Sequence, residues 1–351
     1  MNRILVSALA LAIVPSACAG AGTPAPASAT VTAPPSAAPS PVTLKIGQVG
    51  GISDAAIYIA DAKGFFKEQG ITLDSNQFAS AALMVAPLGT GELQVGGGAS
   101  SAGLFNAIGR GIGMLIVADK GNLNPGHGYE AIVVRPELAG QITGPKDLKG
   151  RTIAVSARDI TPEVTLDTYL RTGGLTIKDV NVVAVPHADM LLALKNGSID
   201  AGLPIEPFVS RIVAANAGTV LTRNDTITPG HQTAVVLFSE ALAKRREVAT
   251  RFMTAYIQGA RFYNDAFVKK DAAKRAEAVA ILSKAAGVEP ALFDSMVMPG
   301  IDPNGRVNTK SLGEIQDWFL QKGTQQRPVD LTKAIDPSFS AEVVRQLGEY
   351  R

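Results

Sequence analysis

Four short stretches place small and polar residues where a strand would hand over to a helix. They are Gly50-Gly51-Ile52-Ser53-Asp54, Gly97-Gly98-Ala99-Ser100-Ser101, Ser156-Ala157-Arg158-Asp159 and Leu203-Pro204-Ile205-Glu206-Pro207. The first N–H groups of a helix have no partner within it. Together with the positive end of the helix dipole, they favour anions or carbonyl oxygens. Glycine at such a junction lets backbone approach a ligand closely. Taken singly, Ser53, Ser100 and Glu206 read more simply as caps or first-turn acids. Four junctions around one crevice read as a binding site instead. Its candidate contacts are Ser53, Asp54, Ala99, Ser100, Ser156, Arg158, Thr161 and Glu206.

Motifs for catalysis are largely missing. There is no Walker A sequence, and "GGGASSAG" lacks both the last glycine of a dinucleotide fingerprint and the G-x-S-x-G spacing of a nucleophile elbow. The three histidines, His127, His187 and His231, lie far apart without metal-ligand spacing. His187 and Asp189 could form a base with an orienting carboxylate, but a surface turn after Pro186 is the simpler reading. No catalytic residue, metal or cofactor is therefore expected.

Composition narrows the class further. Lys plus Arg number 33 and Asp plus Glu 31, a balance that speaks against nucleic-acid binding. Charged residues make up 18%, and the first 42 residues hold a single charge, Arg3. Asn2 and Arg3 precede the apolar run Ile4 to Val14, which is too short to span a bilayer and suits a secretory signal. "PSACAG" follows, with the only cysteine, Cys18. It resembles a bacterial lipobox in which Cys18 would carry a diacylglyceryl anchor, although Pro15 stands where an aliphatic residue is usual. Ala17-Cys18-Ala19 also fits ordinary signal cleavage. Ala19 to Pro41 has six prolines and no charge, so it reads as a semi-extended tether.

From Val42 onward the pattern alternates strand and helix. "VTLKIGQV", "ITLDSNQF", "ELQVGG" and "IGMLIVAD" read as strands, with helices at Asp54 to Lys63, Ala81 to Leu88 and "ASSAGLFNAIGRG". A second series follows, with strands at "RTIAVS", "VNVVAVP", "SIDAGLP" and "TVLTRND" and helices at Thr161 to Thr172, Asp189 to Asn196 and Glu206 to Ala215. "HQTAVVLFSE" reads as a strand returning to the first half, before one long helix from Glu240 to about Phe267 and a helical remainder. The layout is α/β, with mostly parallel sheets in two lobes. The expected division is residues 1–18 as the signal, 19–41 as the linker, 42–130 with 231–351 as the first lobe, and 131–230 as the second. Crossings are expected near Ala131–Arg135 and His231–Val236.

At this point the chain resembles a known family. "SDAAIYIADAKGFFKEQGI", "GELQVGGGA", "DLKGRTIAV", "ALKNGSIDAGLPIEPF" and the closing "LGEY" are similar to the nitrate/sulfonate/taurine group of ABC-transporter solute-binding proteins, which extends to thiamine-pyrimidine precursors. The resemblance covers Leu44 to Tyr350. It implies a type II periplasmic-binding-protein fold, a small-molecule ligand caught between the lobes, and a permease with its ATPase as partners. It also implies a monomer at the outer face of the membrane, lipid-anchored if Cys18 is modified. The same fold serves a pyrimidine-synthesising branch that needs a cysteine-rich iron site, which a chain with only Cys18 does not offer. A ligand-sensing role remains the other alternative. Asp54 and Glu206 at the crevice favour a nitrogen-rich heterocycle or amine over an anion.

Overall fold

The computed structural model describes residues 40–351, together with Ala12. Cys18, the signal region and the linker before residue 40 lie outside the described residues. Among those described, no helix is long and apolar enough to cross a membrane.

The chain lays down β1 (Val42–Gln48), β2 (Ile71–Gln77), β3 (Val95–Ala99) and β4 (Met114–Asn122), then crosses to a second sheet. There it forms β5 (Ala131–Val134), β6 (Thr152–Val155), β7 (Asn181–Ala184), β8 (Ala201–Gly202) and β9 (Thr219–Arg223), and it returns as β10 (Gln232–Ser239). The two five-stranded sheets have the orders β2-β1-β3-β10-β4 and β7-β6-β8-β5-β9. In the first, β1 pairs in parallel with β2 and β3, and β10 runs antiparallel between β3 and β4. The second repeats this scheme, with β5 antiparallel between β8 and β9. In each sheet the reversed strand is the one that has just crossed. Every other strand therefore ends at the same edge, facing the other lobe.

Burial follows from that placement. β10 carries no polar alternation, and all eight of its residues are buried. One face of the first sheet is covered by the helix Arg246–Phe267, whose Phe252 meets Phe66 and Phe238 edge or tilted at 5.0 and 5.6 Å. The other face packs Phe105, Met114 and Leu237 against Leu312, Ile315 and Phe319 of the helix Thr309–Lys322. The second sheet likewise has a core on each face, around Leu166 and Leu170 on one side and Met190 and Ile212 on the other.

Three expectations change in detail. The crossings occupy residues 123–130 and 224–231, because Ala131–Arg135 and His231–Val236 are almost wholly taken up by β5 and β10. The helix expected from Glu240 to Phe267 breaks at Arg245, whose ψ of 62° leaves the helical region. Its first piece, capped by the Ser239 hydroxyl, ends after burying Leu242. Strand "SIDAGLP" shrinks to Ala201–Gly202, since Pro204 has no N–H to give to a ladder.

Helix Arg246–Phe267 also crosses the helix Ala55–Ala62 that leads away from the first junction. Gly259 is the point of closest approach: a Cβ there would stand 2.1 Å from the Ala56 carbonyl oxygen and 2.9 Å from the Ala60 Cβ. The helix carrying the first junction is thus seated by an absent side chain. Gly259→Ala is expected to destabilise the protein by about 1–3 kcal/mol through overpacking. Thermal unfolding will show a lowered midpoint, and an unchanged midpoint would mean that the two helices are free to separate.

Candidate ligand-binding site

The strand ends converge on a small, partly enclosed cavity of about 30 Å³. That is room for about one or two water molecules, so an organic solute requires the lobes to stand further apart than they do here. From the first lobe it is walled by Val49, Ser53, Ser80, Ala81, Gly98 and Ala99, and from the second by Ser156, Pro162, His187 and Ile205. The outward crossing contributes Tyr129 and Glu130, and β10 contributes Thr233 and Ala234. Larger hollows of about 480 and about 590 Å³ open elsewhere on the surface. They lack this convergence of strand ends.

Around the cavity the lobes touch directly. The N–H of Ile52 donates to the Glu206 carbonyl at 3.0 Å, and that of Ala102 to the Asp159 carbonyl at 3.0 Å. Thr161 N–H donates to the Ser100 carbonyl at 3.1 Å, and the two hydroxyls lie 2.9 Å apart. These bonds seal one rim of a closed cleft.

The eight residues singled out by sequence separate into groups. Ser53, Ala99 and Ser156 line the cavity. Ser100 and Thr161 form the seam just described. Asp54 is fully buried and pairs at 2.8 Å with Lys120, equally buried, whose ammonium also donates to the Ser53 hydroxyl at 3.1 Å. Its charge is therefore cancelled beneath the wall. Arg158 turns away, with its guanidinium on Glu163 at 2.8 Å and on the Val182 carbonyl at 2.6 Å. Glu206 is buried in the second lobe, where it accepts the Ser210 N–H at 3.0 Å and faces Arg223 at 3.5 Å. It does not line the cavity. Burial pushes its carboxyl up, and the Ser210 bonds and Arg223 oppose that.

The triple glycine has a packing reason. A Cβ at Gly97 would come within 2.6 Å of the Lys120 side chain, and one at Gly98, where φ is 149°, within 2.7 Å of the Ala81 Cβ. The run admits the buried lysine under the wall.

Sequence reasoning missed Tyr129, Glu130, Thr233 and Lys120, and it set His187 aside as a surface turn. His187 is instead buried and stacked on Phe208, with ring centroids 5.8 Å apart, and its Nδ1 has no hydrogen-bond partner. Desolvation lowers its pKa from 6.5 to about 4, so the ring is neutral. Tyr129 and Thr233 hydroxyls lie 2.7 Å apart. Glu130, 3% exposed, accepts from the Asn224 amide at 3.1 Å. Burial raises its pKa from 4.5 to about 7, against the pull of the Asn224 and Tyr129 hydrogen bonds. The available signal was an acid set immediately before the apolar run "AIVV".

The raised carboxyl has a measurable consequence. Below about pH 4.5 the folded and unfolded chains both hold the Glu130 proton, so its contribution is unperturbed there. As pH rises toward 7 the unfolded chain releases it first, and stability falls. The loss is complete above the folded pKa and amounts to about 3 kcal/mol. His187 and His231, lowered to about 4, act in the opposite sense between pH 4 and 6.5, so a difference measurement is needed. Denaturant unfolding should show Glu130→Gln gaining on wild type between pH 5 and pH 8. A difference that stays constant with pH would place the carboxyl in water.

Comparison with known proteins agrees with this architecture. The NMT1-like family model matches residues 37–283. No curated protein matches the chain in sequence. In structure, the chain is similar to the alkanesulfonate-binding protein SsuA from Xanthomonas axonopodis pv. citri, bound to MOPS. That likeness has a TM-score of 0.69 at 18% identity, covering 85% of this chain and 99% of the other. It is also similar to the periplasmic nitrate-binding protein NrtA from Synechocystis PCC 6803, with a TM-score of 0.74 at 16% identity over 89% and 90% of the two chains. The desulfurization enzyme DSZB shares the fold as well, with a TM-score of 0.60 at 18% identity over 87% and 99%. The chain belongs to the NMT1-like family and has the type II periplasmic-binding-protein fold.

Proposed function

We propose that this protein is the extracytoplasmic solute-binding component of an ABC importer, capturing a small molecule between its lobes for a membrane permease driven by an ATPase. One observation carries the reading. The cavity at the strand ends takes its walls from both lobes, the outward crossing and β10, so a solute bound there touches both lobes and its binding is coupled to their closure. A ligand held this way has a higher affinity for the closed state than for the open one. In this reading residues 42–130 with 231–351 and residues 131–230 move as two bodies, and the protein acts as a monomer. Modified Cys18 would hold it beside the permease, since two acyl chains anchor stably where one does not.

The wall chemistry favours a nitrogenous solute. None of the described residues lining the cavity is Lys or Arg, and the charge of Lys120 is spent on Asp54. Glu130 is the one ionisable acid in the wall, and His187 offers an unpartnered ring nitrogen. An amine or a donor-bearing heterocycle satisfies both groups, whereas nitrate or a sulfonate meets no opposite charge. The preference first assigned to Asp54 and Glu206 thus rests on Glu130.

A thermal-shift panel of amines, aminopyrimidines, flavins, sulfonates and nitrate tests this reading. A ligand that binds only the folded form adds about 2.7 kcal/mol at a hundredfold excess over Kd. Nitrogenous compounds should raise the midpoint, and Glu130→Gln should abolish the rise. Hits confined to sulfonates or nitrate would overturn the ligand class. Steady consumption of a hit would place the protein with the fold's enzymes.

A further inference from the structure

Away from the cavity, one helix of each lobe meets the other in a matched pattern. In the second lobe, the helix Thr161–Thr172 presents Glu163 and Asp167, four residues apart on one face. In the first lobe, the helix Thr309–Lys322 presents Trp318 and Lys322 with the same spacing. Trp318 Nε1 donates to Asp167 Oδ2 at 2.8 Å. The Lys322 ammonium pairs with Glu163 and, at 2.7 Å, with Asp159. Between the two acids, Val164 packs into the core of the first lobe.

Both acids are already fixed within their own lobe. Glu163 accepts from the Arg158 guanidinium at 2.8 Å and from the Asp159 N–H at 3.0 Å. Asp167 accepts from the Arg171 guanidinium at 2.8 Å and from the Ile177 N–H at 2.6 Å. Each carboxylate thus keeps its orientation without help from the first lobe, which adds one donor to each. Little is left to order on docking, so the contact favours closure at small entropic cost. Asp159 links this contact to the seam: it sits at a φ of 58°, and its carbonyl accepts the Ala102 N–H.

We propose that Trp318 and Lys322 form, with Glu163 and Asp167, a clasp that sets the balance between open and closed lobes independently of the solute. They are positioning residues and do not line the cavity. Each removed donor forfeits a hydrogen bond to a charged group, which is expected to move the open-to-closed ratio at least about tenfold toward open. The capture reading enters only through the consequence, a weaker apparent affinity in proportion to the lost closed fraction.

The test uses solute-free protein, so a failure of the ligand assignment leaves it intact. Small-angle scattering should give a larger radius of gyration for Lys322→Met and for Trp318→Phe than for wild type. Lys310→Met, on the same helix with its side chain 89% exposed, should match wild type. Trp318 is the only tryptophan, so acrylamide quenching reads the clasp directly and should increase in Lys322→Met. Thermal unfolding confirms that each variant is folded, and either clasp variant suffices if the other is not. Wild-type radius in the folded clasp variants, with wild-type quenching in Lys322→Met, would overturn the clasp. An equal expansion in Lys310→Met would do so too, by showing a general effect of charge removal.

Discussion

Each sheet contains one strand that runs against its neighbours, and that strand is the one that has just crossed from the other lobe. This constraint orients everything else. It sends the ends of β1 to β4 and of β6 to β9 toward a common crevice, where open α/β sheets bind ligands. Side chains as distant in sequence as Ser53, Glu130, His187 and Thr233 meet there because their strands terminate in one place. Helices cover the outer faces, and Gly259 lets one of them settle against the element that leads out of the first junction.

Electrostatics inside the crevice depends on an ion pair that the cavity does not touch. Asp54 and Lys120 are both wholly buried and neutralise one another under the wall. Such pairs often contribute little net stability, yet removing one partner strands the other at a cost of about 3–5 kcal/mol. Their effect here is to leave Glu130 as the one acid in the cavity wall. Glu163 and Asp167 follow a similar logic at the clasp, where each is held by its own arginine before the other lobe arrives. At the clasp the first partner is local, and the second comes from across the fold.

Sequence patterning gave access to the scaffold more than to the chemistry. Apolar runs such as "VVLF" and "LIVA" mark buried strands because a strand covered on both faces cannot alternate. Ser53, Ala99 and Ser156 were legible as wall residues because they lie at strand ends or in the turns that follow them. Glu130 and Tyr129 were not, because they belong to a crossing whose polar groups resemble any surface loop. Arg158 and Glu206 look like ligand contacts one-dimensionally, but Glu163 and Ser210, each within five residues, take up their hydrogen bonds. Lys120 could not be read at all, since its partner Asp54 is 66 positions away and only the fold joins them.

The central claim is that the crevice holds a nitrogen-bearing solute against Glu130. Native mass spectrometry of protein purified gently and without exchange measures it most directly. The account predicts a bound species with a basic or donor nitrogen on wild type, released on denaturation and missing from folded Glu130→Gln. A bound oxyanion, or a species retained equally by Glu130→Gln, would contradict it.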